Sequence, residues 1–368
     1  MRPTVLALAV LALAAPAQAA VTGDVTIGLV TSQTGTAASL SVTQRNGAQL
    51  AVDEVNQPGD RPFTFTLLQR DDASTGDGAK AAFEDLVGAG AKVLLGPTLS
   101  ASAFVADPVA QAARVPVIAI SNTADGITEQ GDYIFRASLA ERRQVANAVR
   151  VGHRRLKFKR PVMIVRTDQP FAVSGAKAFR ASMKAVGAPI VKEADYTGAP
   201  GSFSALLKKL ARARPDMLVI ESLTEGPQLM MAARKTAGLK KVGLMGGNAF
   251  NSQSVIDAAG PAANGLIVGA AWHPAIVDAA SKGFISRYRA RYGTAPDQFA
   301  AQAYSAMLVI IDALTRSASA DGPALRDAFA ATTGLATPLG SFGFGASRNV
   351  TTRGIVQVVR NGKFKLLG

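Results

Sequence analysis

Two short hydroxyl-rich segments carry the clearest chemical signal in this 368-residue sequence. Gly96-Pro97-Thr98-Leu99-Ser100-Ala101-Ser102 follows the apolar run Lys92–Leu95, and Ser121-Asn122-Thr123 follows Pro116–Ile120. Both runs read as buried strands, and the spacing predicts a helix from the first segment to about Arg114. Ser100 or Ser102 then stands where a helix N-cap is expected. The first N–H groups of a helix lack intrahelical partners. Beside a hydroxyl they form a ready site for a carboxylate or phosphate. If the two strands are neighbours, Ser100, Ser121 and Thr123 grip one anion together; taken singly, either turn is an ordinary structural one.

Other chemistries are poorly supplied. The sequence has no Cys, which removes disulfides, thiolate metal sites and a thiol nucleophile, and only two His, His153 and His273. His153 lies among cationic neighbours and reads as a surface residue; His273, between the single Trp and Pro274, reads as packing. Neither G-x-S-x-G, G-x-G-x-x-G nor a P-loop occurs. Ser174-Gly175-Ala176-Lys177 satisfies S-x-x-K without its S-D-N and K-T-G companions, so a secreted serine hydrolase rests on Ser174 alone. No cofactor, metal or catalytic residue is expected.

The elements that must position the two turns follow from the wider pattern. Arg2, an apolar run from Val5 to Ala15 and the small residues through Ala19 have the three-part form of a secretory signal peptide. Cleavage near Ala19 and a periplasmic location are expected, without membrane insertion of the mature chain. Thereafter short β-rich runs (Val25–Val30, Phe63–Gln69, Lys92–Leu95, Pro116–Ile120, Tyr133–Arg136) alternate with Ala-rich helical spacing such as Gln44–Asn56. The alternation restarts at Pro161 and continues through Asp216–Ile220, Val242–Met245, Gly265–Ala270 and Gly354–Val359. Strands apolar on both faces between helices predict an α/β fold of two doubly wound parallel-sheet lobes. In such sheets ligands sit beyond the carboxyl ends of the strands, where both hydroxyl turns lie. The formal net charge is +14, and Arg150–Arg160 holds six Lys or Arg in eleven residues. That segment reads as a solvated helix end rather than a nucleic-acid site, since no recognition motif accompanies it. Electrostatic steering of anionic ligands is the sharper alternative for the excess charge.

With these residues in hand, the chain resembles the leucine/isoleucine/valine-binding periplasmic proteins, the type I solute-binding components of ABC transporters. The resemblance runs in order through Asn46-Gly47-Ala48, Asp71-Asp72-Ala73, Gly96–Ser102 and Ile118–Thr128. It continues through Asp195-Tyr196-Thr197, Phe203–Leu207, Arg214-Pro215-Asp216, Ala303–Ala306 and Gly354–Phe364. It implies two lobes joined by three crossovers near Ala137, Trp272 and Leu339. The first lobe then holds 20–137 and 272–338, and the second holds 138–271 and 339–368. It also implies that Ser100, Ser121 and Thr123 hold the ligand head, that Phe171 is a cleft aromatic, and that Leu40 and Leu99 line the cleft. Two positions depart from the family. Asn248 stands where amino-acid binders carry the acid that pairs with the ligand ammonium, and Leu223 replaces a cleft Tyr. Glu221 or Glu225 is the candidate replacement acid; without one, the ligand should lack an α-amine.

The expected function is therefore capture of a small organic carboxylate, either a branched-chain-like amino acid or an aromatic or branched keto acid, for an ABC transporter permease. A monomer that binds no nucleic acid is expected. A ligand-binding sensor subunit on the same fold is the non-transport alternative.

Overall fold

The computed structural model describes residues 20–368 apart from Asp60, Ala199 and Val277, so the expected signal peptide lies outside the described residues. The chain begins with β1 (Gly23–Thr31), α1 (Ala38–Val55), β2 (Phe63–Asp71), α2 (Gly76–Gly88), β3 (Val93–Leu95), α3 (Ser100–Ala113), β4 (Val117–Ala119) and β5 (Ile134–Arg136). These five strands form one wholly parallel sheet in the order β2-β1-β3-β4-β5. β3, β4 and β5 are buried on both faces, which is why they read as unbroken apolar runs.

A second α/β unit follows. It comprises α4 (Glu141–Leu156), β6 (Pro161–Arg166), α5 (Pro170–Ala185), β7 (Lys192–Tyr196), α6 (Ser204–Ala211), β8 (Met217–Glu221), α7 (Gly226–Lys235), β9 (Gly243–Gly246), α8 (Gln253–Ala259) and β10 (Leu266–Ala270). Its parallel strands run β7-β6-β8-β9-β10, repeating the order of the first sheet. The chain then returns to the first unit with α9 (Ala279–Tyr292), α10 (Gln298–Arg316), α11 (Gly322–Ala330) and the hairpin β11 (Leu335–Thr337)–β12 (Gly340–Phe342). Finally β13 (Ile355–Arg360) pairs antiparallel with β10, and β14 (Lys363–Leu366) pairs antiparallel with β13, extending the second sheet.

Two particulars differ from the sequence reading. β7 was not legible because its residues, Lys-Glu-Ala-Asp-Tyr, are mostly polar; it is an edge strand with one face in solvent. The third crossing falls after Val350 instead of near Leu339. Phe342, Phe344 and Val350 belong to the core of the first lobe, where the Phe344 ring lies 5.0 Å from that of Phe135. Val350 N–H donates to Arg136 O at 2.9 Å, so this stretch is stitched to the end of β5 before β13 enters the second sheet.

In each sheet the strand order reverses beside its first strand, between β1 and β3 in one lobe and between β6 and β8 in the other. Loops leaving strand ends on either side of such a reversal diverge and leave a crevice. Here the crevices face each other, and one apolar cluster containing Leu40, Leu99 and Phe299 together with Phe171 and Leu223 closes across them.

Candidate functional site

A small cavity lies between the lobes, with a volume of about 30 Å3, well below the about 300–1,000 Å3 of most small-molecule sites. The loop after β3 contributes Thr98, Leu99 and Ser100; the loop after β4 contributes Ser121 and Thr123; α1 contributes Leu40 and Gln44. From the second lobe come Phe171 at the start of α5, Leu223 after β8, and Asn248 and Ala249 after β9. Phe299, at the start of α10, completes the wall. The structure thus brings Ser100, Ser121, Thr123, Phe171, Asn248, Leu40, Leu99 and Leu223 to one cavity.

What each polar group can do depends on where its proton goes. Neither Ser100 nor Ser102 caps α3: the N-cap is Leu99, and no side chain caps the helix. Ser100 is its first residue, and its Oγ accepts the N–H groups of Thr123 and Ala124 at 3.2 and 3.4 Å. Those bonds tie the two turns together and leave the Ser100 proton free to be donated. Ser121 is the reverse case. Its Oγ donates to Thr98 O at 2.7 Å, so toward the cavity it can only accept, and the expectation that it grips an anion is corrected. Thr98 Oγ1 accepts Ser32 N–H and donates to Gln44 Oε1, both at 3.0 Å. That fixes the Gln44 amide and leaves its Nε2, on a completely buried side chain, without a partner among the described residues. Free donors therefore converge from Ser100, Gln44 and the uncapped end of α3.

Gly96 makes this approach feasible. Its φ is +104°, and a Cβ there would stand 2.0 Å from Val30 O, so only glycine lets the loop after β3 pack so closely on β1. Arg136, buried at the end of β5, holds the second turn from beneath by donating to Ala124 O at 2.6 Å and to Asn349 Oδ1 at 2.7 Å. Burial lowers its guanidinium pKa to about 10.

The acids behave differently from expectation. Glu221, the last residue of β8, does not line the cavity. It is completely buried behind Gly247, where a Cβ would come within 2.4 Å of its Oε2 and 2.8 Å of Glu141 Oε1. Neither Glu221 oxygen has a partner among the described residues. Burial, then the nearby Glu141, raises its pKa well above the usual carboxylate range. Burial lifts Glu141 to about 7, against the opposing hydrogen bond that its Oε1 accepts from Asn248 N–H at 2.8 Å. Glu225 is taken up by Arg166, which also holds Asp168 at 2.8 Å. Neither candidate replacement acid lines the cavity.

The remaining chemistry-bearing residues have structural partners. Ser174 Oγ accepts Asp125 N–H across the cleft at 3.0 Å. His273 Nδ1 accepts Ala275 N–H at 2.9 Å, so its Nε2–H points to Phe364 O at 3.2 Å, and burial lowers its pKa. The His153 ring meets Phe158 edge-on at 5.0 Å. Among the described residues, no group of three or more His, Cys, Asp or Glu is placed to hold a metal ion, and no helix is long and apolar enough to cross a membrane. The segment Arg150–Arg160 lies at the amino end of β6, whereas the cavity lies beyond the carboxyl ends of the strands. Its basic residues complement the carboxyl-terminal dipole of α4.

Sequence reasoning missed Gln44, Thr98, Ala249, Phe299 and the buried Glu141. A polar residue four positions after Leu40, on the apolar face of α1, was a usable signal for Gln44. Phe299 and Ala249 carry no signal until the lobes are assembled.

These features match a known class. The periplasmic binding protein family model matches residues 24–363, and the chain belongs to that family. A Leu/Ile/Val-binding protein homolog from Brucella suis biovar 1 is 26% identical over 77% of this chain and 74% of its own length. The branched-chain amino acid transporter substrate binding protein LivJ of Streptococcus pneumoniae, solved with isoleucine, is 26% identical with a TM-score of 0.87, covering 93% of this chain and 98% of that one. A Rhodopseudomonas palustris ABC-transporter solute binding protein solved with benzoate shares the fold at 23% identity and a TM-score of 0.83, covering 94% of this chain and 96% of that one.

Proposed function

We propose that this protein is exported to the periplasm with cleavage near Ala19, captures a small organic carboxylate between its lobes, and presents the closed form to an ABC permease. The observation that carries this reading is the convergence of the Ser100 hydroxyl, the unpartnered Gln44 amide and the open end of α3 on one side of a cavity between the lobes. Donors without acceptors favour an anion, and the hydrocarbon side chains of Leu40, Leu99, Phe171, Leu223 and Phe299 favour an apolar tail. The isoleucine and benzoate found in similar proteins are both carboxylates with apolar bodies. Ligand acts by shifting an open–closed equilibrium, and the transporter reads the closed shape. The protein binds without turnover, as a monomer. A thermal-shift screen of aliphatic and aromatic carboxylates tests the reading: several degrees of stabilisation by at least one class is expected, and no response to any carboxylate would refute it.

A further inference from the structure

The polarity of the cavity wall opposite the anion site is set by a chain of amides anchored on backbone groups. Ala271 N–H donates to Gln298 Oε1 at 2.9 Å, and a backbone N–H can only donate, so Gln298 must present its Nε2 on the other side. That Nε2 donates to Asn248 Oδ1 at 2.6 Å, reaching from α10 in the first lobe to the loop after β9 in the second. A second anchor agrees. Gly269 O accepts Asn251 Nδ2 at 2.8 Å, and the same Nδ2 lies 3.4 Å from Asn248 Oδ1. Gln357 Nε2 in turn holds Asn251 Oδ1 at 2.7 Å. Two donors oriented by the main chain thus occupy Asn248 Oδ1, and Asn248 N–H is used by Glu141. What remains is Asn248 Nδ2, which has no hydrogen-bond partner among the described residues, on a residue that lines the cavity and is 5% exposed.

We propose that Asn248 is the specificity-determining residue of this site: its amide, pinned by Gln298, donates into the cavity and selects carboxylates carrying a second acceptor, as 2-oxo acids do, over 2-ammonium acids. An ammonium placed against Asn248 Nδ2 would meet donor with donor, and the buried acids behind it touch Asn248 only through its main chain. A keto oxygen at the same place completes the one open valence. This inference rests on the proposed capture of a small carboxylate and narrows its class.

Calorimetric titration with matched pairs tests it: leucine against 4-methyl-2-oxopentanoate, and phenylalanine against phenylpyruvate, with benzoate as a carboxylate lacking a second head group. The oxo partner is expected to bind at least about tenfold tighter in the pair that fits, the scale of one hydrogen bond to a charged or unmatched group. Asn248→Asp keeps the acceptor for Gln298 and turns an oxygen to the cavity, so it should reverse the order within that pair. Gln298→Glu keeps the acceptor for Ala271 N–H but presents an acceptor to Asn248. The Asn248 amide must then rotate, and the preference should shrink to within about threefold, on the same hydrogen-bond scale. Equal or tighter binding of the amine partner by the unaltered protein overturns the inference while leaving carboxylate capture intact. Binding of benzoate alone overturns the second contact, and no binding by any of the five compounds refutes carboxylate capture itself.

Discussion

A hydroxyl at a ligand site is defined by the destination of its proton, and this separates Ser100 from Ser121. Ser100 accepts two backbone N–H groups and keeps its proton for the ligand; Ser121 spends its proton on Thr98 O. Ser100→Ala should therefore weaken a bound carboxylate about tenfold or more, the scale of a charge-assisted hydrogen bond. Gln44→Glu, which still accepts from Thr98 but faces the ligand with a carboxylate, should weaken it at least as much. Ser121→Ala should change affinity less than about threefold and instead lower stability by about 1 kcal/mol. Titration calorimetry and thermal unfolding separate these outcomes, and equal affinity losses for Ser100→Ala and Ser121→Ala would contradict the assignment. Buried Glu141 gives a pH signature. Its folded pKa of about 7 exceeds the usual 4.5, so between those values the native state holds a proton that the unfolded chain has released. The associated stability is fully present below 4.5 and lost as pH rises through 7, amounting to about 3 kcal/mol at most. Glu221 acts in the same direction; His273, shifted down, acts oppositely below pH 6.5. Glu141→Gln keeps the acceptor for Asn248 N–H and should flatten the decline in unfolding temperature between pH 5 and 8. An unchanged profile would show that Glu141 ionises freely.

Among the elements, strand ends matter more than helices, because the loops leaving β3 and β4 carry the proposed anion site and those leaving β6, β8 and β9 face it across the cavity. Much of this was legible. Val93-Leu94-Leu95 and Val117-Ile118-Ala119 are buried on both faces, so their apolar runs announced central parallel strands, and their hydroxyl-rich exits followed. Asn248 and Leu223 were legible only through family resemblance. The directions of the side chains were not legible: period-2 reasoning cannot tell that Glu221 turns behind Gly247 or that Glu225 meets Arg166. Nor could it place the third crossing, since the bonds between Arg136 and the stretch ending at Val350 join residues more than 200 positions apart. The tight loop after β3 supplies the test at this scale. Gly96→Ala would place a Cβ 2.0 Å from Val30 O at φ +104°, and should cost about 2–4 kcal/mol. Carboxylate affinity should fall with it, because Ser100 and the end of α3 move with that loop. A variant with native stability and affinity would show that the loop is not held against β1.

The whole molecule is two copies of one sheet order facing each other, with the proposed ligand cavity where both orders reverse. Groups of the two lobes meet across the cleft: Ser174 with Asp125 N–H, Arg142 with Asp125 at 2.6 Å, and Gln298 with Asn248. The Arg142–Asp125 pair is half exposed and contributes about 0–1 kcal/mol, so the buried apolar contacts outweigh it in holding the lobes together. The basic segment Arg150–Arg160 stands at the other end of β6, a strand of six residues and thus about 20 Å long. That exceeds the screening length of about 8 Å at physiological salt, so this segment contributes little to steering an anion into the cleft. The most direct measurement is a crystal structure of the protein grown with a carboxylate that stabilises it in solution. The carboxylate should lie within hydrogen-bonding distance of Ser100 Oγ, Gln44 Nε2 and the first N–H groups of α3, with its apolar body against Phe171 and Leu223. A ligand bound with its carboxylate turned toward the second lobe, or seated outside this cavity, would contradict the account.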